Sequence, residues 1–172
     1  MDTLTDKNKK MLMDLIQGNK NVDVDNQRST LKREKINKPL IYVGAGTCGL
    51  GAGAAETINA IKTYLKNKKI DADIMEVGCI GLCAVEPIVD VQMPGKNRVS
   101  FQKVTHDRVE GILDQAFSAK YNAKDLLGQI QMGASEKYKD VPDFNKHPFF
   151  AKQKRIVLKN CGLINPESID EY

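Results

Sequence analysis

The sequence predicts an α/β domain of order β-α-β-β-β-α, with a helix before it and an extension after it. Three observations predict this class. Two short apolar runs, 40–43 (LIYV) and 73–77 (DIMEV), flank one helical stretch. Two runs that alternate apolar and polar residues, 88–93 (IVDVQM) and 98–104 (RVSFQKV), flank the turn PGKN, which marks a β-hairpin. A final amphipathic stretch, 106–118, closes the unit.

Each element has its own signal. In residues 5–17, Met11, Leu12, Leu15 and Ile16 fall near one helical face together with the preceding Leu4, and Gly18 is a stop. Residues 18–38 are rich in Asn, Asp, Lys and Ser and read as a polar linker, so 1–38 form a helix-plus-linker region. The first strand, 40–43, runs into a glycine-rich loop and helix entry, 44–53. The helix 54–66 carries Ile58, Ile61 and Leu65 on one face. A crossover helix makes strand 73–77 parallel to the first. Thr105 is placed to cap the last helix, whose buried stripe is Val109, Ile112, Leu113 and Ala116. The plan is thioredoxin-like and spans residues 39–119.

Beyond it, 120–147 read as a polar linker with a short helix near 124–131. Within 148–172, RIVLKNCGLI reads as strand and turn. Asn165-Pro166-Glu167-Ser168 reads as a helix start, with a capping Asn, Pro at the first position and acids in the first turn. A helix of about six residues has little stability alone. The expectation is therefore a longer parent protein in which a second domain begins here.

Composition excludes several function classes. The 172 residues are 41% hydrophobic and 28% charged, which does not favour one core running the whole length. The net charge of +4 is mild, and the basic residues of the N-terminal region are interleaved with acids. Aromatic residues make up 6% and Trp is absent, so the basic face with stacking rings that nucleic acid needs is missing. No run approaches the roughly 20 apolar residues of a membrane span. The early MLMDLI is too short and too charged for a signal peptide, so the cytoplasm is the expected compartment. Four cysteines in a reducing compartment read as metal or redox ligands before disulfides.

Three of them carry the chemistry. Cys48 follows the first strand, and Cys79 and Cys83 follow the second in the run GCIGLC. Parallel strands joined by a crossover end on the same sheet edge, so these cysteines should converge. Converging thiolates suit zinc or an iron–sulfur cluster. Structural zinc more often takes two-residue spacing and four ligands. His106 and His147, the only histidines, are expected at the surface. Gly44-Ala45-Gly46-Thr47-Cys48-Gly49 is also a literal G-x-G-x-x-G between strand and helix, with Glu76 ending the next strand. That permits a dinucleotide reading. The acid is late for that motif, and a cysteine loop and hairpin follow instead of a second crossover. In the alternative reading, the glycines let the loop pass close to a cofactor or neighbouring strand.

The stretches VGAGTCGLGAGA, EVGCIGLCAVEPIVDVQMPG and VSFQKVT resemble the thioredoxin-like [2Fe–2S] ferredoxin domain, in a three-cysteine variant. PFFAKQKRIVLKNCGLINPESIDEY resembles the opening of the flavin- and NADH-binding subunit of complex I and electron-bifurcating hydrogenases. The resemblance implies an electron-transfer domain holding a [2Fe–2S] cluster through Cys48, Cys79 and Cys83. It implies partners among the subunits of a multi-subunit oxidoreductase. It also implies FMN and NAD(P)H sites only in a downstream domain, so that this stretch alone is not catalytic while its parent is an NAD(P)H-linked oxidoreductase. The fuller family pattern has four cysteines, and Gly44 stands about where another thiolate is expected. Cys161 is a further sulfur, read as a packing residue. A degenerate fold kept for subunit contact, without a cluster, is the alternative.

Overall fold

Five strands form one mixed sheet in the order β2-β1-β3-β4-β5. The computed structural model describes Met13 and residues 29–169. The expected helix 5–17 and most of the linker 18–38 lie outside the described residues, apart from Met13, which is helical. Strand β1 (Leu40–Gly44) leads to a short helix α1 (Thr47–Gly51) and the crossover helix α2 (Ala54–Lys68). Strand β2 (Asp73–Val77) follows, then the hairpin β3 (Val89–Gln92) and β4 (Arg98–Phe101). Helix α3 (Val109–Ser118) and strand β5 (Leu126–Ile130) complete the sheet and its cover. The β-α-β-β-β-α order expected from the sequence is therefore present, with a fifth strand added.

Strand β1 pairs parallel with β2, with Gly44 opposite Val77, and antiparallel with β3. All five residues of β1 are buried, as a central strand covered on both faces requires. On one face Ile41, Val43, Val89, Val91, Val99 and Phe101 pack under the buried stripes of the two long helices. The helix stripes are those the period predicts: Ile58, Ile61 and Leu65 on α2, and Val109, Ile112, Leu113 and Ala116 on α3. Each of the Val, Ile and Leu side chains contributes about 1.5–3 kcal/mol relative to exposure. Across the sheet, Leu40, Tyr42, Met75 and Val77 form a second cluster, and Ile88, Leu127, Phe144 and Phe150 a third.

Three local expectations are corrected. Residues 124–131 form no helix: 123–125 are a single 3-10 turn, and Leu126–Ile130 pair antiparallel with β4. Pairing satisfies the backbone groups along the outer edge of β4, which a solvent-facing helix would leave open. RIVLKNCGLI forms turns rather than a strand. Thr105 does not cap the backbone of the last helix, which opens with a 3-10 turn at 106–108. Its hydroxyl serves the Asp107 carboxylate instead and holds that group below the usual carboxylate range. The expected helix start at 165–168 is a turn, in which Asn165 Oδ1 accepts the Glu167 N–H at 3.0 Å.

Candidate metal centre

The site forms where β1 and β2 end side by side. Past Gly44, the Ala45 N–H donates to the Val77 carbonyl at 2.9 Å, which keeps the two exits together for one more residue. The Gly44 N–H donates to the Ile88 carbonyl at 2.9 Å and ties in the start of β3. Cys48 then sits in the first turn of α1, Cys79 lies two residues beyond β2, and Cys83 opens a 3-10 turn, 83–85. The three sulfur atoms lie within 4.8 Å of one another. The convergence expected of a parallel crossover is therefore present in the geometry.

Local backbone chemistry explains how the loop closes. Gly81 has φ +93°, a conformation side chains rarely adopt, and its N–H donates to Cys79 Sγ at 3.3 Å. That turn brings Cys79 Sγ and Cys83 Sγ to 3.6 Å. Gly46 explains the approach from the other side. A Cβ there would lie 3.1 Å from both the Cβ and the backbone N of Cys79. One at Gly49 would lie 2.0 Å from the Gly44 carbonyl oxygen. The glycines of the G-x-G-x-x-G are thus occupied with close packing of loop on strand and loop on loop.

All four cysteines are free thiols. Cys48 and Cys79 are half-buried and Cys83 is exposed. Burial pushes the Cys79 thiol up to about 12, with the Cys48 side chain adding to the effect and the Gly81 N–H opposing it. Without a cation, burial keeps the Cys79 thiol protonated. A metal reverses that balance, because coordination deprotonates a thiol outright. Three soft donors, already close and with an N–H directed at one sulfur, fit a thiolate-bound metal or cluster.

Cys161 does not belong to this group, and neither do His106 and His147. Cys161 lies in a turn whose neighbours pack against the cysteine loop. Leu158 Cδ1 lies 3.2 Å from where a Gly81 Cβ would be, and Arg155 Nη2 donates to the Ile80 carbonyl at 3.2 Å.

One residue escaped the sequence reading. Glu86 is buried, and its Oε1 lies 3.9 Å from Cys48 Sγ. Its Oε2 accepts the Ile88 N–H at 2.7 Å. Burial raises the Glu86 carboxyl above the usual range, while the Ile88 N–H and the thiols of Cys79 and Cys48 pull it down. The available signal was a carboxylate in an otherwise apolar run, AVEPIV, just after Cys83.

No family model matches the chain. Over 85 residues it is 28% identical to the NADP-reducing hydrogenase subunit HndB of Solidesulfovibrio fructosivorans, covering 49% of this chain and 68% of that one. The expected kinship with hydrogenase subunits is borne out by this relative. Among solved structures, the chain is similar to a thioredoxin-like [2Fe–2S] ferredoxin from Aquifex aeolicus. That match covers 55% of this chain and 94% of the ferredoxin, at 15% identity and a TM-score of 0.45. A second structure, of the wild-type ferredoxin from the same organism, covers 53% and 96%, at 17% identity and a TM-score of 0.43. Among the described residues, no helix is long and apolar enough to cross a membrane.

Proposed function

We propose that this chain is an electron-transfer domain that holds a [2Fe–2S] cluster through Cys48, Cys79 and Cys83. The observation that carries the reading is the meeting of three cysteine sulfurs within 4.8 Å at one sheet edge. When bound, the cluster accepts and donates one electron at a time. The chain's own residues hold and tune it. Cys79 and Cys83 form one jaw on a tight loop, and Cys48 forms the other on α1. The Gly81 N–H donates to Cys79 Sγ at 3.3 Å, which disperses negative charge on the sulfur and so favours the reduced state. Ile80, Leu82 and Val85 join the apolar cluster around Phe144 and Phe150, which limits water on that side of the loop.

In the larger reading, the parent is an NAD(P)H-oxidising subunit of a hydrogenase or NADH dehydrogenase complex in the cytoplasm. Residues 148–172 open its flavin and nucleotide domain. The sequence resemblance of that segment and the hydrogenase-subunit relative support this reading. FMN and NAD(P)H chemistry then belongs to the downstream domain, and electrons pass between it and partner subunits through this one.

A second reading is a structural zinc site, favoured by how close the three sulfurs lie, since a single tetrahedral ion needs such a set. Substitution separates the readings. Cys79→Ser and Cys83→Ser remove a soft donor but keep the size, and each should lose most of the iron and sulfide and the visible charge-transfer absorption. Cys161→Ser should keep them. Unchanged iron content in both loop variants would overturn the assignment, and stoichiometric zinc without sulfide in the wild type would favour the second reading.

A further inference from the structure

Three thiolates leave one ligand position open, because a [2Fe–2S] cluster takes four protein ligands. The family pattern expects the missing sulfur near Gly44. A Cβ built on Gly44 would point straight at Glu86, 2.9 Å from Oε2 and 3.3 Å from Oε1. The space that a side chain at position 44 would fill is therefore taken by a carboxylate from the opposite loop. We propose that Glu86 is the fourth protein ligand of the cluster, its carboxylate standing in for the thiolate that Gly44 lacks. This inference rests on the cluster reading above.

Four observations support it. First, the carboxylate faces one of the sulfurs: Oε1 lies 3.9 Å from Cys48 Sγ. Second, it is oriented for the task, because the Ile88 N–H holds Oε2 at 2.7 Å and leaves Oε1 toward the site. Third, its backbone is fixed from both sides. The Lys103 N–H donates to the Val85 carbonyl and the Val104 N–H to the Pro87 carbonyl, each at 2.8 Å. Fourth, Glu86 is 8% exposed, yet among the described residues it forms no ion pair with Lys, Arg or His. A buried carboxylate without a cation is disfavoured in its charged form. Coordination to iron supplies the missing positive partner, and carboxylates are established iron ligands. The competing donors are placed elsewhere. Glu86 shares with Cys161, His106 and His147 a place outside the set of donors mutually within 4.8 Å, but its Oε1 lies 3.9 Å from Cys48 Sγ, and the nearby Asp90 is held by Arg98.

The arrangement also explains why Gly44 and Glu86 belong together. A thiol added at position 44 would collide with the carboxylate, so Gly44→Cys alone should not improve the site. Removing the carboxylate first should make room. Glu86→Ala vacates the position, and Gly44→Cys in that background fills it with sulfur.

The test uses the 172-residue chain reconstituted anaerobically with iron and sulfide. Mössbauer spectra of the wild type should show two unlike ferric sites, one all-sulfur and one with an oxygen ligand. In Glu86→Cys, and in the double variant Gly44→Cys/Glu86→Ala, the two sites should become alike. Glu86→Ala and the isosteric Glu86→Gln should shorten the lifetime of the cluster in air at least about tenfold, the lower bound for loss of even an outer-sphere partner. Circular dichroism of the metal-free variants checks that they fold, and the Glu86 variants tell the carboxylate from a solvent oxygen on the same iron. A wild-type cluster with two all-sulfur irons, or spectra and lifetimes unchanged in Glu86→Gln and Glu86→Ala, would overturn the role of Glu86 and leave the cluster standing. A wild type that binds no iron and sulfide would overturn both.

Discussion

Arg98 is 2% exposed and lies across the hairpin from Asp90, itself 5% exposed. Its Nε donates to Asp90 Oδ2 at 2.7 Å, Nη2 reaches the same oxygen, and the guanidinium stacks 3.6 Å from the Tyr42 ring centroid. The pair is a diagonal cross-strand contact, since Arg98 is opposite Gln92 and Asp90 is opposite Ser100. Asp90 Oδ1, Arg98 Nη1 and Ser100 Oγ lack hydrogen-bond partners among the described residues, so the pair is incompletely satisfied. Buried pairs of this kind cost more when broken than they contribute when made. Arg98→Met alone should therefore destabilise the domain by about 3–5 kcal/mol, because Asp90 is left as a lone buried charge. Adding Asp90→Leu should restore most of that loss. Urea denaturation of the two single variants and the double variant measures the coupling, and a double variant no better than Arg98→Met would show that the pair does not act as a unit. None of this pairing is legible in RVSF and VDVQ read as strands, because alternation marks faces and not the polar contacts across a covered one.

Strand β5 shows where element-level reading failed and why. The apolar residues of LLGQIQM follow neither period cleanly, and a glycine interrupts the run, so it signals neither strongly. Tertiary contacts decide the outcome. Gln129 is buried in the strand and uses its whole amide: Oε1 accepts from Asn97 Nδ2 at 2.8 Å and from the Tyr138 N–H at 2.9 Å, while Nε2 donates to the carbonyls of Tyr138 at 2.8 Å and Val141 at 2.5 Å. One side chain thus knits the hairpin turn, β5 and the segment 138–141 together. Gln129→Leu has similar size but strands those four groups, and an unsatisfied buried group costs about 1–3 kcal/mol. The substitution should lower stability by at least about 2 kcal/mol and expose 132–150 to exchange. Hydrogen exchange on the Tyr138 amide reads it directly, and unchanged protection there would contradict the role given to Gln129. Helices α2 and α3, by contrast, were legible to within a few residues, because their stripes repeat over several turns and caps merely adjust the ends. The apolar run 155–164 failed as a strand for a related reason. Its residues pack on the cysteine loop, through Leu158 at Gly81 and Gly162 at Ile80, rather than on a sheet edge.

Over the whole molecule, topology determines the chemistry that the loops can perform. A parallel β-α-β crossover delivers two strand ends to one edge, and the cysteines placed just past those ends meet there. That much followed from spacing alone. Glu86 did not, because its relation to Gly44 and Cys48 exists only once β1, the cysteine loop and the entry to β3 are packed together. A glycine where a ligand is expected and a carboxylate beside a proline carry no shared pattern along the chain. The central claim is that the sheet edge holds a [2Fe–2S] cluster, and iron and acid-labile sulfide counted per chain after anaerobic reconstitution test it most directly. The expected result is about two of each, with visible charge-transfer absorption that bleaches on reduction. A chain that takes up no iron and sulfide under those conditions, or that holds zinc in their place, would contradict it.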